Sequence, residues 1–114
     1  MSTGDQLQIA IRRGSGRVIL ELEGELDMAS SGRLREALDG ACLNGSRTVV
    51  LDLRGVSFLD STGLKAIFGV RNAVCAAGAE FAVTPGSAQV RRLLSLTRLD
   101  EHLHTIATPD SALA

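Results

Sequence analysis

The sequence predicts an α/β fold: a single small domain in which a mixed sheet of about four to five strands packs with three to four α-helices. Three observations predict it. Two runs of alternating apolar and polar residues, Leu7 to Ile11 and Val18 to Glu23, flank Gly14-Ser15-Gly16, the pattern of a β-hairpin. After them, stretches with apolar residues at three- and four-residue spacing alternate with short apolar runs, as in parallel strands joined by right-handed helical crossovers. The length, 114 residues with 45% hydrophobic and 22% charged side chains, suits one aliphatic core and no second. The domain is expected to take in residues 1–114 with an ordered core over about 6–108.

In the first strand Leu7, Ile9 and Ile11 alternate with Gln8, Ala10 and Arg12, so one face is wet and the strand belongs at an edge. Gly14-Ser15-Gly16 tolerates positive φ and lacks the lysine and following helix of a phosphate loop, which makes it a turn. The second strand carries Val18, Leu20 and Leu22 and ends at Gly24-Glu25-Leu26-Asp27. A helix follows with Leu34, Leu38, Ala41 and Cys42 inward, Asp27 or Ser30 as its cap and Gly45 as its stop. Met28 is expected to tuck under that helix as a staple; exposed, it would instead offer a partner an adaptable apolar contact.

Val49, Val50, Leu51 and Leu53 form a buried central strand, broken by Asp52 and closed by Arg54-Gly55. In the second helix Leu64, Ile67, Phe68, Arg71, Val74 and Cys75 recur at helical spacing, one stripe facing the sheet while Lys65, Arg71 and Asn72 reach water. Ala77-Gly78-Ala79 turns into a short strand at Phe81, Ala82 and Val83, which Thr84-Pro85-Gly86 ends. A third helix starts near Ser87, with Val90, Leu93, Leu94 and Thr97 inward and Arg91, Arg92 and Arg98 outward. Leu99 to Leu103 link it to a last short strand near Thr105 to Ala107, and the tail from Pro109 adds a helical turn or frays.

Composition excludes several function classes. A net charge of −1 steers the chain to neither nucleic acid nor an anionic membrane. The arginines of the third helix have no interleaved aromatic residues on which bases would stack, so they are a solvated face. No apolar run reaches membrane-spanning length and Met1-Ser2-Thr3-Gly4-Asp5 is no signal peptide, so a cytoplasmic protein is expected. Cys42 and Cys75 lie far apart on apolar stripes and are expected to be reduced packing residues. His102 and His104 lack a third ligand, so neither a metal nor a cofactor is expected. Ser61 stands in no Gly-x-Ser-x-Gly elbow and beside Asp60, which argues against a hydrolytic nucleophile and against an enzyme.

Asp60, Ser61 and Thr62 occupy the turn that launches the second helix. A helix start leaves backbone N–H groups without intrahelical partners and carries partial positive charge, so it accepts an anion well. Asp60 or Ser61 is a plausible N-cap, and spacing alone favours a simple cap.

The run Phe58-Leu59-Asp60-Ser61-Thr62-Gly63-Leu64, together with Gly24-Glu25-Leu26-Asp27, resembles the STAS domain of bacterial anti-sigma factor antagonists. The resemblance covers the chain from about Gln6 to its end. It implies that Ser61 is phosphorylated by a partner anti-sigma factor that is a serine-protein kinase, that a serine phosphatase resets it, and that Asp27 lies beside it and contributes to kinase recognition. The partner-binding set it implies is Asp27, Met28, Phe58, Asp60, Ser61, Thr62, Gly63 and Leu64, docking when unphosphorylated to release a sigma factor. The protein alone would be a monomer or weak dimer. The alternative is a non-switching STAS scaffold of a stress-signalling assembly. Lys65 departs from the small residue many relatives carry there; it is expected to lie in water.

Overall fold

The computed structural model describes residues 7–41, 47–98 and 103–110. Its first pairing is set by Ser15 at φ 55° and Gly16 at φ 75°, a two-residue turn with both centres left-handed, whose twist matches that of a hairpin. It joins β1 (Leu7–Gly14) to β2 (Arg17–Leu26), antiparallel from Gly14↔Arg17 to Leu7↔Gly24. There follow α1 (Ser31–Gly40), β3 (Thr48–Leu59), α2 (Ser61–Ala76), β4 (Glu80–Thr84) and α3 (Ala88–Leu96). The sheet order is β1-β2-β3-β4, with β2–β3 and β3–β4 parallel, so the expected mixed sheet is present, with four strands and three helices among the described residues.

The two-residue period of the strands divides the core. One face buries Val18, Leu20, Leu22, Val49, Leu51 and Leu53 against Leu34, Leu38, Ile67, Val74 and Leu94 of the helices. The other face has a smaller cluster of Ile19, Val50 and Ala82, covered by Ile106. On that face Asp52 is 5% exposed, and both its oxygens accept from Arg54 at 3.0 Å. These bonds hold the Arg54 guanidinium above its usual pKa.

Several elements depart from the expected limits. The central strand does not close at Arg54-Gly55 but runs to Leu59. Gly55 permits this, because a Cβ there would stand 2.7 Å from the Leu22 carbonyl oxygen. Its absence lets the ladder shift register and resume as Glu25↔Phe58 and Leu26↔Leu59. In α2 the buried residues are Gly63, Leu64, Ile67, Val70 and Val74; Phe68 is half-buried and Cys75 is exposed, one position past the inward stripe, so Cys75 is not a packing residue. Thr97 faces solvent, its hydroxyl donating to the Leu93 carbonyl at 2.8 Å at the end of α3. The last strand is a single bridge, Thr105 to Val83, because Ile106 turns under the sheet. Gln6, Cys42, Gly45 and His102 lie outside the described residues; His104 is exposed.

Candidate functional site

The chain leaves β3 at Leu59 and enters α2 through Asp60, whose extended backbone (φ −114°, ψ −173°) is that of an N-cap. The Asp60 carboxylate accepts from the Gly63 amide at 2.9 Å, and the Asp60 carbonyl accepts from Leu64 at 3.0 Å, the first helical bond. Asp60 thus completes the cap alone. The amides of Ser61 and Thr62 precede that first bond and point along the positive end of a 16-residue helix. Among the described residues the Ser61 hydroxyl has no hydrogen-bond partner, and Ser61 is exposed while Thr62 is half-buried.

At the other motif Leu26 is fully buried and the chain turns through residues 27–30. Asp27 and Ser30 brace the turn reciprocally: Asp27 Oδ1 accepts from the amides of Ala29 at 3.0 Å and Ser30 at 3.1 Å, while Ser30 Oγ accepts from the Asp27 amide at 3.0 Å. Ser30 Oγ in turn donates to the Glu25 carbonyl at 2.7 Å. Ser30 stands at the N-cap position of α1, yet its side chain makes no cap bond, so the expected capping of α1 by either residue is replaced by bracing of the turn. That bracing turns Met28 outward. Met28 is 77% exposed, so it does not tuck under α1 as expected, while Leu26 two residues before it is fully buried.

The two motifs touch at Gly63. A Cβ on this residue would lie 2.3 Å from the Leu26 carbonyl oxygen and 2.7 Å from Leu59 Cδ1, so only a glycine lets the first turn of α2 seat against the end of β2. The contact places Asp27, one residue on, beside the start of α2. Of the expected partner-binding set, Met28, Phe58 and Ser61 are exposed, Asp27, Asp60 and Thr62 are half-buried, and Gly63 and Leu64 are buried beneath them. Gly63 and Leu64 therefore shape the corner from below.

Two grooves flank the corner, and periodicity alone had assigned neither. Between α1 and α2 a groove of about 300 Å³ has Thr62 on its wall with Arg35 and Lys65 at its rim. On the opposite side a groove of about 210 Å³ runs between the end of β3 and α3, walled by Phe58, Val90, Leu93 and Leu96. Leu96 carried a signal: it is the one leucine of α3 off the stripe of Val90, Leu93 and Leu94. Among the described residues no group of three or more His, Cys, Asp or Glu comes together, and no helix is long and apolar enough to cross a membrane.

Against known proteins, the STAS domain family model matches residues 8–112. The anti-sigma-F factor antagonist RsfB of Mycobacterium tuberculosis is 28% identical over 113 residues, covering 99% of this chain and 92% of RsfB. An anti-sigma F factor antagonist of Paenibacillus polymyxa is 35% identical over 94 residues, covering 82% of this chain and 80% of its own. The crystal structure of an anti-sigma factor antagonist from Mycobacterium paratuberculosis superposes with a TM-score of 0.76 at 25% identity, covering 96% of this chain and 93% of that one.

Proposed function

This chain belongs to the STAS domain family, and on that premise we propose that it is an anti-sigma factor antagonist switched by phosphorylation of Ser61. Unmodified, the corner formed by Asp27, Met28, Phe58 and the first turn of α2 docks on an anti-sigma factor and so frees a sigma factor. The partner is a serine-protein kinase: it transfers the γ-phosphoryl group of ATP to Ser61 Oγ, the hydroxyl proton passes to a base of the kinase, and ADP leaves. A serine phosphatase resets the switch by hydrolysing the ester. The protein itself acts by binding.

The observation that carries this reading is the division of labour at the start of α2. Asp60 satisfies the cap, which leaves the exposed Ser61 hydroxyl without a structural task. Phosphorylation adds close to two negative charges. The free amides of Ser61 and Thr62 and the helix dipole accommodate them, so the domain keeps its fold. The penalty falls on the complex, where the phosphate would face Asp27, Asp60 and the desolvated surface of the partner.

Titration calorimetry against the purified anti-sigma factor of the same host tests this, with parent, Ser61→Ala and Ser61→Asp. Ser61→Ala binds like the parent and takes no phosphate from ATP, whereas Ser61→Asp loses roughly a hundredfold in affinity, about 3 kcal/mol. Equal binding by Ser61→Asp removes the switch. A large native assembly that forms regardless of residue 61 favours the scaffold reading instead.

A further inference from the structure

The groove between the end of β3 and α3 shares Phe58 with the switch corner and extends beyond it to Val90, Leu93 and Leu96. Phe58 is 43% exposed and Leu96 is 73% exposed, and both wall the same groove with Val90 and Leu93. Large apolar side chains left in water side by side mark a surface that another molecule covers. At about 210 Å³ the groove is smaller than the roughly 300–1,000 Å³ of small-molecule sites, and it suits one leucine- or methionine-sized side chain.

Two features identify the occupant. Charge is the first: Arg92 stands exposed at the groove's rim, and no carboxylate of the described residues pairs with it. Such a rim favours a segment carrying Asp or Glu. Continuity is the second. Phe58 and Leu59 run directly into Asp60 and Ser61, so a protein seated on the switch corner reaches the groove without a gap.

Resting on the switch reading above, we infer that the anti-sigma factor's contact extends past Ser61 into this groove, inserting one apolar side chain beside Phe58 and Leu96 with an adjacent carboxylate facing Arg92. The groove then anchors the complex, and Ser61 regulates it. Buried aromatic and arginine contacts of this kind carry a disproportionate share of binding energy.

The test is titration calorimetry of the parent, Leu96→Ser, Arg92→Glu, Arg92→Lys and Ser61→Asp against the host's purified anti-sigma factor, with light scattering of each variant alone. Leu96 and Arg92 are exposed, so thermal melts of their variants should match the parent's. The inference expects Leu96→Ser and Arg92→Glu each to weaken binding about tenfold or more, with Arg92→Lys within about threefold of the parent. If Ser61→Asp abolishes binding while Leu96→Ser and Arg92→Glu bind like the parent, the groove is not a contact and the switch stands without it. If the parent itself does not bind, both readings fall. If the parent alone is a dimer that Leu96→Ser dissociates, the groove belongs to a second copy of this chain and the inference is overturned.

Discussion

At the start of α1 an aspartate and a serine are locked into the backbone of one turn, whereas at the start of α2 the aspartate alone caps the helix and the serine is exposed with its hydroxyl unused. Ser30 is 2% exposed and its hydroxyl joins Glu25 to Asp27. Ser87, at the start of α3, is committed too, accepting from the Val90 amide at 3.2 Å. Among the described residues three helix starts carry a serine, and only at α2 does the neighbouring cap release it. Availability for modification depends on which atom closes the helix end, a property that the residue types alone do not reveal.

The two helix starts meet at Gly63. Glycine to alanine inside a helix ordinarily stabilises by up to about 1 kcal/mol. Gly63→Ala is expected to invert that sign and cost about 3 kcal/mol, because the added carbon meets the Leu26 carbonyl oxygen at 2.3 Å and backbone cannot easily yield. Denaturant unfolding measures it, and a neutral or stabilising result would show that the two motifs are not seated on each other.

Ser30→Ala is expected to cost about 2 kcal/mol, since it removes a buried hydroxyl and strips the Asp27 amide and the Glu25 carbonyl of their partner. Asp60→Ala loses one cap bond at a half-buried site, about 1 kcal/mol, while Asp60→Asn retains most of that stability. Ser61→Ala should stay within about 0.5 kcal/mol of the parent. Ser30→Ala is therefore expected to cost more than Ser61→Ala. Equal costs for the two in the same unfolding series would make Ser61 a structural serine.

Much of this was legible in the chain. The hairpin, the alternation of helices and strands and a helix cap at Asp60 or Ser61 follow from local rules: left-handed turn residues at Ser15 and Gly16, periods of two and of three to four, and short polar side chains at a helix start; that Asp60 closes the cap is set in the structure. The tail of β3 was not legible, because Arg54-Gly55 reads as a stop and only the approach of Leu22 makes Gly55 a bulge within a continuing strand. Cys75 was misplaced for a related reason: several periodic stripes pass through α2, and packing in the core takes the one through Val70.

By itself the sequence determined the fold class, the order of the elements and the position of Asp60-Ser61-Thr62 at a helix start, since each depends on the conformational preferences of a few adjacent residues. Tertiary structure decided the rest. It turned Met28 outward, seated Gly63 on Leu26 and opened the Phe58–Leu96 groove between β3 and α3. Those outcomes depend on strand register and on which backbone atoms approach across the sheet, quantities set only when segments distant along the chain pack together.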